Sequence, residues 1–163
     1  VKEFDSIVNT IVDCLGKGNK VLTFGVGGNA ANAIHFAAEL QGKFEKYETP
    51  FACIDLCSNP SIITAITNDF GWDHCFERQI RGLAKPGDVI VAFSISTKGQ
   101  YLVNAIDEGL GRGCEVILIC GKTSTDNPEI IVLELDSLDT PWVQEKQLEL
   151  IHKICREVKA ILA

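Results

Sequence analysis

"KVLTFGVGGNAANAIHFAAEL", residues 20–40, changes its hydrophobic period partway along. Residues 20–25 are a short run carrying Val21, Leu22 and Phe24, apolar on both faces as a buried parallel strand is. Gly25, Gly27 and Gly28 interrupt the run, and beyond them apolar side chains recur at helical spacing. Strand, glycine turn and helix in this order begin a parallel α/β sheet. The glycines let backbone approach a ligand closely, and the N–H groups that open the helix favour an anion.

The helix itself poses the functional question. Ala33, Ile34, Phe36, Ala37, Ala38 and Leu40 leave it little polar surface, yet His35 and Glu39 stand four apart on one face. A satisfied core histidine beside a half-exposed glutamate explains the pair as well as an active site does.

The remainder of the chain repeats the alternation. Strand-like runs lie at 20–25, 51–57, 88–95, 114–120 and 129–135, with helical patterns at about 3–17, 29–45, 59–67, 72–84, 99–112 and 141–162. "KPGD" (85–88) and "GRG" (111–113) are turn signals. The expectation is one domain over 1–163, an α/β doubly wound three-layer sandwich around a five-stranded parallel sheet. In such sheets ligands bind beyond the strand carboxyl ends, where strand order reverses. A net charge of −7 argues against nucleic acid as a bulk electrostatic partner. No apolar run approaches the ~20 residues of a membrane span. Seven cysteines without a C-x-x-C pair read as buried thiols of a reducing cytoplasm.

Two other stretches carry chemistry. "SISTKGQY" (94–101) follows the third strand and offers Ser94, Ser96, Thr97 and Lys98 around Gly99, a phosphate cradle or an ordinary helix cap. The glycine turn also fits a loose dinucleotide fingerprint, with Asp55 near the second strand; Asp55 lies 30 residues past Gly25, beyond the usual ~20. In the last helix, "QEKQLELIH" (144–152), Glu145 and His152 share a stripe and Gln144 lies on the same side. His35, Glu39, Gln144 and His152 together form a mixed N/O set that suits Zn²⁺ or a similar divalent ion, or metal-free acid/base work. His74, after "NDFGWD", reads as a surface residue.

Together "GVGGNAANAIHFAAEL", "TNDFGWD", "SISTKG" and "QEKQLELIH" resemble the sugar isomerase (SIS) domain and, within it, the phosphoheptose isomerases. The resemblance runs from about Lys20 to Val158. It implies a flavodoxin-like fold, a cytoplasmic homotetramer with interfacial active sites, and isomerisation of sedoheptulose 7-phosphate, a small-molecule sugar phosphate. It further implies Glu39 and His152 as catalytic residues. His35, Glu39, Gln144 and His152 are the implied zinc ligands. Asp69, Ser96 and Thr97 are the implied substrate contacts, and the reading of the two turns and the last helix adds Gly27, Gly28, Asn29, Ser94, Lys98 and Gln144 as expected substrate-binding residues. The chain departs from the family pattern at Val26, Asn29, Lys98, Gln100, Tyr101 and Gln147, which removes three hydroxyls from the phosphate-binding turns. Asn32 and Lys98 are similar to a branch of the same fold that binds a bacterial replication initiator, but that branch lacks a counterpart of Glu39. The expected chemistry is ene-diol proton transfer, with Glu39 as base and His152 serving the oxygens.

Overall fold

A computed structural model describes residues 2–123, 125 and 127–163. Its strands are β1 (Val21–Phe24), β2 (Cys53–Asp55), β3 (Val89–Phe93), β4 (Glu115–Cys120) and β5 (Ile131–Glu134). All pair in parallel in the order β2-β1-β3-β4-β5. Strand order reverses between β1 and β3, so the turns after these two strands flank the crevice where such sheets take ligands.

Helices α1 (Lys2–Gly16), α2 (Gly28–Gln41) and α6 (Thr140–Leu162) cover one face of the sheet, as the doubly wound expectation requires. There Val21, Val91, Phe93 and Ile119 meet Ile11, Phe36, Leu40, Ile151 and Val158. Helices α4 (Cys75–Leu83) and α5 (Gln100–Gly111) cover the other face, on Leu22, Phe24, Ile90 and Leu118. Phe36 meets Phe93 edge-on at 6.0 Å. That contact pins α2 to the sheet, and truncating such a ring costs about 3–5 kcal/mol.

The helix boundaries have local causes. α2 ends at Gln41, four residues earlier than the pattern suggests, because Gly42 leaves the helix for an extended conformation. α3 runs Pro60–Phe70, three residues past its expected end. It begins where the Asn59 side chain accepts the Ile62 N–H ahead of Pro60, and stops at Gly71, whose φ of 91° is a glycine conformation. The expected helix over 72–84 is a 3₁₀ turn, Trp72–His74, followed by α4. α6 starts on an Asp139 cap to the Trp142 N–H, with Pro141 in its first turn.

Candidate active site

The buried face of α2 uses Ala33, Phe36, Ala37 and Leu40, which leaves His35 and Glu39 on the flank turned toward α6. α6 lies alongside α2 in the same direction, as the successive contacts of Asn32 with Gln147 and of His35 with His152 require. His35 Nε2 lies 3.2 Å from Glu39 Oε1 and 3.2 Å from His152 Nε2. One ligand atom from each of the three residues falls within 4.8 Å of the others.

This donor set fits a divalent ion. Ligands about 2.0–2.1 Å from a tetrahedral zinc stand roughly 3.3 Å apart, close to the observed spacings. Three protein ligands leave the fourth position open, as catalytic zinc sites do. With a proton on its Nε2, His35 is the donor to both neighbours, and the Glu39 carboxylate and His152 Nε2 accept.

Gln144 is not drawn into this cluster within one chain. Its carboxamide fills the space where a Cβ on Gly28 would stand, 2.4 Å from Oε1. Gly28 is seven residues before His35, about 10 Å along the helix axis. Gly28 therefore serves the contact between α2 and α6, and a Cβ on Gly25 would strike the backbone of Asn29. Gly27, with φ of 61° and open space before it, is the glycine of this turn that faces outward. Asn29 is buried, and its Oδ1 has no hydrogen-bond partner. Glu145 is exposed and outside the cluster. His74 is exposed, paired with Glu77 at 2.5 Å, in keeping with a surface role.

The turn after β3 forms one wall of a cleft of about 590 Å³ lined by Ser96, Thr97, Lys98, Lys122, Thr123 and Leu138. Ser94 is buried, and its hydroxyl donates to the Ser96 carbonyl at 2.5 Å, so that group stabilises the turn itself. Thr97 Oγ1 lies 3.0 Å from Thr123 Oγ1. Lys98 is exposed at the cleft, and Lys122 joins it while paired with Asp136 at 2.8 Å. Lys122 has no sequence signal, because the loop after β4 carries no recognisable motif. Tyr101 turns its ring over Gly99 and packs on Trp72 and Phe76 at 5.8 and 5.9 Å. Asp69 sits exposed in the last turn of α3 and accepts the Asn68 amide at 3.0 Å.

Asp55 is not placed to bind a ribose. Its carboxylate accepts the N–H groups of Cys57 and Ser58 and the Ser58 hydroxyl, closing the turn after β2. That removes the anchor of the dinucleotide alternative.

Gln147 is the principal residue that sequence reasoning missed. Fully buried, it accepts from Asn32 Nδ2 at 3.1 Å and donates to the Ser94 and Ile119 carbonyls at 3.0 and 3.1 Å. Asn32 also donates to the Gln144 carbonyl at 3.1 Å, so it is a buried helix tie and not a surface feature. The available signal was position: Gln147 occupies the stripe of Val143, Ile151, Ile154 and Val158, where a polar side chain must find partners.

The thiols are unpaired, six buried and Cys57 half-buried beside the glycine turn. Burial pushes the Cys57 thiol up to about 11, against a hydrogen bond to the Gly25 carbonyl.

Comparison with known proteins agrees with the geometry. The family model for the SIS domain matches residues 2–121. The "Probable phosphoheptose isomerase" of Thermoplasma acidophilum is 39% identical over 157 residues, 95% of this chain and 86% of that protein. Among solved structures, the phosphoheptose isomerase of Neisseria gonorrhoeae is similar at a TM-score of 0.90 and 31% identity, over 98% of this chain and 86% of the other. That of Francisella tularensis reaches 0.92 at 25% identity with the same coverage.

Proposed function

The chain belongs to the phosphoheptose isomerase family of SIS-domain proteins, and from that premise we propose that it interconverts sedoheptulose 7-phosphate with a D-glycero-heptose 7-phosphate. The observation that carries the proposal is the His35–Glu39–His152 cluster, two imidazoles and a carboxylate on facing helices. The difficult step is removal of a proton from the carbon beside a carbonyl. Glu39, whose side chain is 21% exposed, takes that proton, exchanges it with solvent and delivers a solvent-derived proton to the neighbouring carbon, while His152 moves a proton between the two oxygens. His35 holds one oxygen of Glu39 in place at 3.2 Å. A zinc or similar ion held by His35, Glu39 and His152 would take over the role of His152, polarising the carbonyl and hydroxyl and stabilising the negative charge that develops on them, and would leave Glu39 its second oxygen as base. Gln144 joins as a fourth ligand or substrate contact by swinging away from Gly28.

The substrate contacts in this proposal are the outward Gly27 with the backbone of Gly28 and Asn29 at the first turn, Asp69, and Ser96, Thr97 and Lys98 at the second, the turn that Ser94 holds in shape. Lys98 takes the place of the lost hydroxyls as a point charge on the phosphate. The proposed unit is one SIS domain over the chain, working as a homotetramer. Supporting assembly, α3 has no buried residue and leaves Ile62 and Phe70 exposed in one chain, while Ile34 stands exposed on α2. The unpaired thiols support a reducing, cytoplasmic setting. No helix among the described residues is long and apolar enough to cross a membrane.

The test is turnover. Purified protein supplied with Zn²⁺ and sedoheptulose 7-phosphate should accumulate an aldose heptose phosphate to equilibrium. Absence of aldose with folded, metal-supplied protein would reject the assignment.

A further inference from the structure

The segment from 42 to 50 joins α2 to β2 without helix, yet it is fastened at three points, all on α6. Lys159, 2% exposed, donates its ammonium to the Gly42 carbonyl at 3.1 Å and to Glu48 Oε1 at 3.0 Å. Glu48 Oε1 also accepts the Phe44 N–H at 3.2 Å, which closes the segment on itself. Glu45 receives Arg156 at 2.6 Å from Nη2 and 3.2 Å from Nε. Glu45 has φ of 61°, a conformation that a glutamate keeps only where its surroundings impose it. The third point is Phe44, 9% exposed, whose ring lies over the His152 imidazole with centroids 5.7 Å apart and planes at 27°.

His152, Arg156 and Lys159 follow one another at four and three residues, so the helical stripe that carries the candidate catalytic imidazole also holds the segment that covers it. Phe44 lies against the imidazole face, while the ring's edge meets His35, Nε2 to Nε2, at 3.2 Å. The second torsion of a histidine is broad when nothing packs on the ring. A buried ammonium–carboxylate pair brings a desolvation penalty, so its worth here lies in geometry more than in net stability.

We infer that residues 42–48 form a fixed strap that sets the orientation of the His152 imidazole, with Phe44 as the positioning residue and the Lys159–Glu48 pair as its anchor. Phe44 touches neither substrate nor metal in this account; it acts through His152. The inference rests on the isomerase assignment for what His152 does, but not for how it is held.

The test compares wild type, Phe44→Leu and Phe44→Tyr by turnover of sedoheptulose 7-phosphate and by NMR of the His152 ring C–H resonances, identified by their loss in His152→Gln. Phe44→Leu should lower kcat about thirtyfold with KM within about threefold, since small misplacement of a reacting group costs up to ~100-fold. It should also remove the ring-current shift from the His152 resonances. Phe44→Tyr should restore both readouts. If Phe44→Leu does not fold, Glu48→Gln loosens the anchor without touching the ring, and should lower kcat and shift the same resonances. Unmoved His152 resonances, unchanged kcat in a folded Phe44→Leu, or failure of Phe44→Tyr to restore them overturns the strap. If wild type turns over no sugar phosphate, the isomerase assignment fails, and the resonances alone decide the strap.

Discussion

At the scale of single residues, the account depends on what Glu39 and Lys98 do. Glu39→Gln keeps shape and hydrogen bonding but removes the base, so kcat should fall by about 10²–10⁴ with an unchanged melting curve. A loss smaller than about tenfold, on the order of 1.4 kcal/mol of barrier, would take Glu39 out of the chemistry. Lys98→Ala should raise KM for the sugar phosphate roughly tenfold to a hundredfold, through loss of a charge-assisted bond of ~1–3 kcal/mol. Inorganic phosphate should compete against wild type and weaken against the variant. Unchanged KM and inhibition would make Lys98 a solvent-facing residue. Elsewhere, Asp88 is buried at the opposite end of the sheet from the site. Burial would raise its carboxyl, but hydrogen bonds from the Lys20 ammonium and the backbone N–H groups of Lys20 and Lys85 outweigh it and hold the group below its ordinary value. A depressed folded value means that this contribution is fully present above the unfolded value, near 3.8, and disappears as pH falls through the folded one. Urea melts below pH 4 should therefore show wild type losing stability more steeply than Asp88→Asn; parallel curves would contradict this.

At the scale of elements, the tie between α2 and α6 decides whether the imidazoles meet. Gln147→Leu would leave the Asn32 amide and the Ser94 carbonyl short of a partner, and should cost roughly 2–4 kcal/mol in urea melts. A cost under about 0.5 kcal/mol would mean the amide network is dispensable. The strands and most helices were legible because β1, β3 and β4 are short, mostly apolar buried runs and α2, α3, α5 and α6 have a glycine or a side-chain cap at an end. His35 and Glu39 were legible as a pair because four-residue spacing on one helix fixes proximity. The meeting of His35 with His152, 117 residues apart, was raised by residue type, two imidazoles on apolar helices with polar companions, and gained roles only through family likeness, since no local pattern sets the packing of α2 on α6. Gln144 was expected with that cluster and instead packs on Gly28, because side-chain direction on a helix is not contained in residue spacing. The strap at 42–48 was hidden for a similar reason: Lys159 and Glu48 look like surface charges until the fold buries them together.

At the scale of the whole molecule, metal and assembly are the testable properties. If a divalent ion binds the native cluster alone, Zn²⁺ at about 100 times its Kd should add about 2.7 kcal/mol, or roughly 5–10 °C in Tm, and a chelator should reverse it. No shift, with no metal in the preparation, would leave a metal-free acid/base site. Light scattering should find a homo-oligomer at micromolar concentration, and a fully active monomer would contradict the proposed assembly. The central claim is that this chain moves a proton between adjacent carbons of a sugar phosphate by way of Glu39. Isomerisation of sedoheptulose 7-phosphate in D₂O, with the product read by mass spectrometry and NMR, tests it most directly. The account predicts an aldose carrying a solvent deuteron at the carbon beside the new carbonyl, formed by wild type and lost in Glu39→Gln. Aldose that forms without deuterium, or at the same rate in Glu39→Gln, would contradict it.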